Sequence, residues 1–361
     1  MRGAPACAAS VLTALAVLGC GGGSPDVSSP GQTQNPPVVA ADTTPLRVYA
    51  SHHNLLIGAA IDRGFRLTGT DGSTFRSIMS KQFGILTPEN DMKFDHLHPA
   101  RDTYRFVSAD SLVTFAESNG MRVRGHNLVW HSQLPAWVTS GTWTTTDAQQ
   151  LMVDHITNVV SHYRGHVMEW DVVNEALADD GSLRPGFWAD HIGRSYVEAA
   201  FRTARAADPT VGLFYNDYNI EGLGPKSDSV YAMVKDFLSR GVPITGVGFE
   251  SHFVLNGVPS TLAANIARFA ALGVKVHITE LDVRIQAPTT PAALQTQAQN
   301  YRDVVSACTS SPACDVLVMW GFTDKDSWIP GTFPGWGDAL IYDSLYQPKP
   351  AYTAIQSLLS S

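Results

Sequence analysis

From residue 46 onward the apolar positions follow two rhythms by turns. Compact runs rich in Val, Ile, Leu and Phe are separated by longer stretches in which apolar residues return every three or four positions. The first rhythm predicts buried strands, the second amphipathic helices. Eight runs of the first kind occur: Leu55–Ile61, Phe83–Asp91, Met121–His131, Val167–Ala176, Val211–Asn219, Ile244–His252, Val274–Val283 and Asp315–Asp324. Between them helices are expected over Asp110–Asn119, Thr146–Tyr163, Trp188–Ala207, Lys226–Ser239 and Leu262–Leu272, among others. Eight such rounds in about three hundred residues fit an α/β fold of one domain, the closed TIM (β/α)8 barrel. An open doubly wound sheet shares the alternation. Against it, no G-x-G-x-x-G follows the first run, and eight parallel units suit closure.

The fourth run, "VMEWDVVNEA", is apolar until it closes on Asn174 and Glu175. In a barrel this is what a strand that fills the interior and opens at the mouth looks like, because functional groups collect at the carboxyl ends of the strands. The other runs end in the same manner, with Glu89, Asn90 and Lys93, then His126, Trp130 and His131, then Asn216, Asp217 and Tyr218. The last three carry Glu250 and His252, Glu280 and Asp282, and Trp320, Asp324 and nearby Trp328. Two carboxyl groups amid aromatic rings and amides suit glycoside hydrolysis, which needs one acid to protonate a leaving oxygen and one carboxylate to attack or to activate water. Glu175 and Glu280 can face each other across the mouth. Trp130, Trp320 and Trp328 offer flat faces to sugar rings, and Asn90, Lys93, His126, His131 and Asn174 offer partners for hydroxyls.

Composition narrows the setting. Lys and Arg number 25 against 33 Asp and Glu, a net charge of −8, with no basic cluster, which argues against a nucleic-acid partner. Arg2 precedes an apolar segment, Val11 to Leu18, too short to span a bilayer and of the length of a signal-peptide core, so residues 1–20 are expected to be an export signal. Its ending, "VLGC", resembles a bacterial lipoprotein box, in which Cys20 becomes the lipidated first residue; ordinary cleavage further on is the alternative. Residues 21–45 are rich in Gly, Pro, Ser and Thr and read as a flexible tether to the catalytic domain over 46–361. Membrane contact is expected only through the lipid anchor, and the destination is the cell envelope or the medium. In an exported chain Cys308 and Cys314 are expected to form a disulfide, a metal site being the weaker reading for a lone pair of thiols. His96 and His98 are expected to be structural. No catalytic metal or cofactor is expected, and the protein is expected to be a monomer.

The motifs "TPENDMKF", "RGHNLVWHSQLPAW", "WDVVNEAL", "FYNDYN", "HITELDV" and "WGFTDKDSWI" stand in one order along the chain. In this combination the chain from about Leu46 to its end resembles the family 10 glycoside hydrolases, whose typical members are endo-1,4-β-xylanases. The resemblance implies Glu175 as acid/base catalyst and Glu280 as the nucleophile of a retaining double displacement. It implies that Asn174 bonds the sugar 2-hydroxyl and that His252 and Asp282 orient the nucleophile and keep it ionised. Glu89, Asn90, Lys93, His126, Trp130 and His131 would line the glycone side, Trp320 and Trp328 would close over the same sugars, and Tyr218 and Asn219 would reach the leaving-group side.

One position departs from the family. Where the pattern has Gln before the active-site His, this chain reads "VGFESHF" with Glu250. A third carboxyl either stays protonated and imitates the amide, which is the expectation, or is ionised and adds repulsion; the plainer reading is that it is partly solvated and neutral in effect. The expected substrate is xylan or xylo-oligosaccharide. The alternatives are another β-glycan or an aryl glycoside on the same machinery, or a polysaccharide-binding protein on a degenerate barrel. Trp137 is expected to pack, Trp143 is either packing or an outer sugar platform, and Trp336 in the Gly- and Pro-rich loop after the eighth run either stacks on a sugar or folds back on the barrel.

Overall fold

Parallel strands need both faces covered, and the eight apolar runs meet that need by closing on one another. In the structure, a computed structural model that describes residues 42–361, the barrel strands are Leu56–Ile61 (β1), Ile85–Pro88 (β2), Arg122–Gly125 (β3), Glu169–Asn174 (β4), Gly212–Asp217 (β5), Gly246–Phe249 (β6), Lys275–Gln286 (β7) and Val316–Met319 (β8). Each pairs in parallel with the next, and β8 returns to pair with β1, Leu56 opposite Val316 and Ala59 opposite Met319. The sheet is therefore a closed eight-stranded barrel without a free edge. Thr44–Ser361 form one compact unit. The export signal, Cys20 and the tether as far as residue 41 lie outside the described residues.

Helices follow the strands as the longer rhythm predicts, over Val107–Ser118, Thr145–His162, Pro225–Ser239 and Leu262–Ala270, with further ones over Gly69–Gln82, Pro291–Thr309 and Pro350–Leu359. Thr144 and Asp147 close a capping box at the start of Thr145–His162, satisfying amides that the first turn leaves open. No helix among the described residues is long and apolar enough to cross a membrane.

Two expectations are corrected. The single helix over Trp188–Ala207 is two, Phe187–Ile192 and Ser195–Ala207. Gly193 between them has φ +77°, a left-handed turn that glycine adopts without a side-chain penalty, while the apolar spacing carries on across it. The third run is also not one strand. It stops at Gly125, passes through a cis peptide between His126 and Asn127, and resumes as Val129–Trp130, paired with Val173 and Asn174 of β4.

The barrel interior is not wholly apolar. Arg124 of β3 is fully buried, paired with Glu169 and Asp171 of β4, 3.2 Å from His277 Nδ1 and under the Phe214 ring. His277 in turn bonds Asp315 at 2.9 Å. Burying ions is costly unless each is paired and hydrogen-bonded, and here every member has partners of opposite charge. The upper end of this column, Asp171 Oδ2, accepts from His126 Nδ1 at 3.0 Å. Outside the barrel, His155 is buried with neither ring nitrogen bonded, stacked 3.9 Å from the Phe94 ring and parallel to His98. Burial, and then the neighbouring His98, hold its proton affinity well below the ordinary value. The Cys308–Cys314 disulfide closes the short loop before β8.

Candidate active site

The carboxyl end of the barrel carries the polar residues as the strand ends predict. Asn174 is the last residue of β4, and Glu175 follows it with φ +54°. A side chain in this left-handed region costs about 1–2 kcal/mol, so something must hold it. Its N–H donates to Asn216 O at 2.8 Å and its carbonyl accepts from Arg184 Nε at 2.9 Å. Arg184 also binds Leu177 O and Tyr218 OH, each at 2.8 Å, which makes it the clamp of the turn. On β7 successive side chains alternate in direction, so Glu280, Asp282 and Arg284 lie on one face.

Asn216 joins the two carboxyl groups. Its amide donates to Glu280 Oε1 and to Asn174 Oδ1, both at 2.8 Å, and Asn174 Nδ2 donates to Glu175 Oε1 at 3.1 Å. Thr279 Oγ1 fixes the other end of the same amide at 2.7 Å. Gly248 is required beside it, because a Cβ there would lie 2.1 Å from Asn216 Oδ1. On its second oxygen Glu280 meets His252 Nε2 at 3.2 Å, and His252 Nδ1 meets Asp282 Oδ2 at 2.9 Å. Trp328 Nε1 donates to that Asp282 oxygen at 2.8 Å, and His126 Nδ1 stands 3.8 Å from Glu280 Oε1.

These surroundings drive the two carboxyl groups apart. Burial raises Glu175 first, and the charges of Asp217 and Glu280 add to it, to about 7. Burial would raise Glu280 as well, but His126 and the His252 bond outweigh it and leave Glu280 below the ordinary carboxylate value. Against the cost of burial, Asp282 lifts His252 to about 10, so the ring stays a cation beside Glu280. Glu250 is buried, and burial followed by the charges of Glu280 and Glu175 pushes it well above the ordinary carboxylate value, toward the protonated form. That burial removes the solvated reading of Glu250.

Glu175, Glu280, Asn174, His252 and Glu250 line one cavity of about 690 Å³, with Glu89, Asn90, Lys93, His126, Trp130, Tyr218, Asn219, Trp320 and Trp328. Lys93 Nζ bonds Asn90 Oδ1 at 3.0 Å and lies 4.9 Å from the Trp130 ring and 5.9 Å from the Trp320 ring. Asp282 stands behind the wall, reaching the site through His252. His131 is not on the wall, a correction to its expected place: it sits behind Glu175, 3.9 Å from Oε2, and burial followed by Arg184 and Lys226 lowers it to about 4. A neutral ring there adds no charge to Glu175.

Asp324 bonds Lys349 and the Leu340 amide away from the cavity. Trp137 packs on Phe94 and bonds His98 O, and Trp143 lines a separate hollow on the barrel flank under Arg101. Trp336 folds back against Arg284. His98 is stacked in the core and His96 bonds Asp95.

Sequence reasoning left out Gln133, Arg284 and Phe333 from the lining, and the positioning roles of Asn216, Arg184 and Asp217. Asn216 and Asp217 stood at a strand end, which was signal enough; Arg184 lies in a loop and had none. Glu250, His252 and Glu280 bring ligand atoms within 4.8 Å of one another, a spacing that a cation could use. Both nitrogens of His252 face carboxylates, however, so the arrangement reads as a proton-sharing cluster.

The model of glycosyl hydrolase family 10 matches residues 46–358. Endo-1,4-beta-xylanase B of Thermotoga neapolitana is 44% identical over 317 residues, 87% of this chain and 91% of that protein. Endo-1,4-beta-xylanase A of Phanerodontia chrysosporium is 43% identical over 303 residues, 83% of this chain and 73% of that protein. Among solved structures, xylanase 10B from Thermotoga petrophila in complex with xylobiose superposes with a TM-score of 0.86 at 43% identity, covering 88% of this chain and 98% of that one.

Because the Asp217 charge is the second cause of the raised Glu175, its removal has a definite sign. In a carboxyl-carbon NMR titration Glu175 is expected to have its midpoint near pH 7, and Asp217→Asn to move that midpoint down toward the ordinary value. An unchanged midpoint in the variant would mean that the Asp217 charge plays no part and that burial and Glu280 set it.

Proposed function

The chain belongs to glycosyl hydrolase family 10, and on that footing we propose that it is an endo-1,4-β-xylanase, hydrolysing internal xylosidic bonds with retention of anomeric configuration. The observation that carries the reading is two carboxyl groups on one cavity in opposite surroundings, Glu175 bonded by Asn174 and raised by burial, Glu280 bonded by Asn216 and His252 and held below the ordinary value. Glu175 donates its proton to the glycosidic oxygen as the bond to the anomeric carbon breaks. Glu280, held by Asn216 and His252, attacks that carbon and forms a glycosyl ester. The ester no longer carries the charge that helped raise Glu175, so Glu175 becomes more acidic and can accept a proton from the water that releases the sugar. Asn174 is aimed at the 2-hydroxyl, where a hydrogen bond strengthens as oxocarbenium character develops.

Xylan is favoured as substrate by the named relatives and by the xylobiose complex of a similar structure. The nearer alternative is another β-1,4-glycan, for which the cleft would need room for a hydroxymethyl group near Lys93, Trp320 and Trp328. A non-catalytic binding role fits poorly with a preserved acid and nucleophile. We further read the protein as an exported monomer held at the cell envelope through Cys20. The short apolar N-terminal run and the oxidised Cys308–Cys314 pair support that reading.

Glu280→Gln is expected to lower kcat/KM on xylan roughly a thousandfold or more, and Glu175→Gln by roughly a hundred- to ten-thousandfold. Proton NMR of fresh xylo-oligosaccharide products should show the β-anomer first; the α-anomer first would end the retaining mechanism. Mass spectrometry of parallel digests should find short oligomers from xylan and few from a mixed β-glucan.

Glu250→Gln should match the parent at acid and neutral pH, where Glu250 is already uncharged, and separate from it only on the alkaline side of the kcat/KM profile, where the parent alone gains a charge beside Glu280. Superimposable profiles throughout would rule this out. Cys20→Ala should release the protein from the membrane fraction into the soluble one, and an unaltered distribution would exclude the anchor.

A further inference from the structure

The overhang of β7 carries a cation that the reaction does not use. β7 is twelve residues long and runs past the barrel rim to Gln286. The alternation that points Glu280 and Asp282 inward also points Arg284 to the same side, one step further out. Its guanidinium lies 4.3 Å from the centre of the Phe333 ring and 5.5 Å from that of Trp336. An aromatic neighbour of this kind holds the plane of the group and leaves its N–H edge available.

No carboxylate among the described residues lies within ion-pair distance of Arg284, and its Nε is buried without a hydrogen-bond partner. This is unusual company for a guanidinium in a protein of net charge −8. Of the other cations nearby, His252 is engaged by Glu280 and Asp282, and Lys226 by Asp217 at 2.7 Å and Asp179 at 3.5 Å. The catalytic cavity and a neighbouring groove of about 470 Å³ share Asn219, His252 and Arg284. Arg284 therefore stands at their junction, on the side of Asn219, where the leaving part of the substrate is expected.

We propose that Arg284 is a carboxylate-recognition point for a uronic acid branch carried by the xylan chain on the leaving-group side of the scissile bond. The inference rests on the endo-xylanase reading and adds to it a preference among xylans. The sugars of the backbone are neutral and give a guanidinium nothing to neutralise. An acidic branch supplies a planar carboxylate that matches the guanidinium fork, and the bond is charge-assisted in a partly buried setting. The groove beyond Asn219 supplies space for the branch. The aromatic packing on Phe333 ties the recognition point to the loop that also carries Trp328.

The test compares kcat/KM on a uronic-acid-bearing xylan with that on an unbranched xylo-oligosaccharide, and reads their ratio. Arg284→Met keeps an unbranched stem against Phe333 and removes the charge; it should lower the ratio roughly tenfold. In the parent enzyme, reducing the uronic acids of the same xylan to neutral hexoses should lower the ratio to a similar extent. Raising the ionic strength to about 1 M, where screening acts within about 3 Å, should also lower it.

A ratio that Arg284→Met leaves unchanged, with both substrates losing equally, assigns the residue to packing and overturns the proposal. If the variant does not fold, the reduced-xylan comparison in the parent decides: no change in the ratio overturns the proposal, and a tenfold fall supports it. Absence of hydrolysis of every xylan by the parent would instead overturn the endo-xylanase reading on which this one rests.

Discussion

Too many carboxyl groups are buried close together at the mouth of the barrel for all of them to be charged, and that constraint organises it. Glu175, Glu250, Asp217 and Glu221 are each pushed toward the protonated form, with burial the first cause in every case. Glu280 goes the other way because two rings face it, His126, oriented by Asp171, and His252, raised by Asp282, and together they outweigh its burial. The chemistry assigned to the site is this unequal distribution of protons. Asn216 matters because an amide can bridge acid and nucleophile without adding charge to either.

Much of this was legible in the sequence because a barrel converts chain position into spatial position. An apolar run that ends in a carboxyl must deliver it to the mouth, so Glu175, Glu280, Asn174, Trp320 and Lys93 could be placed on the same cavity before any coordinates. What was not legible depends on local backbone events that leave no trace in apolar spacing. The turn at Gly193 splits a helix whose pattern continues across it, and the break after Gly125 redirects the third run. His131 was expected on the wall as an ending of the third run and from the family resemblance, and the break after Gly125 changes the path of that run. Arg184 was missed because it acts through backbone carbonyls from a loop, and Arg284 because the alternation of β7 was not followed past Asp282.

The ion column beneath the site links fold to chemistry. Arg124, Glu169, Asp171 and His277 occupy volume that an ordinary barrel core would give to aliphatic side chains. Apolar replacements of matching shape are often as stable as buried ion pairs, so stability alone does not account for these residues. Their uppermost member sets the orientation of His126, and with it one of the two rings that lower Glu280. The charged floor fixes the ring at Nδ1, while Asn127 meets its Nε2 at 3.2 Å.

The stack of His155 on Phe94 has a consequence for endurance in sour surroundings. Its ring is neutral while the chain is folded and takes up a proton only once the chain opens, where the ordinary affinity near pH 6.5 returns. Folding is thus fully supported above that value and loses about 1.4 kcal/mol for each further pH unit of acidification, for as long as the folded ring stays neutral. Acid therefore works against this fold through an imidazole that takes no part in the reaction.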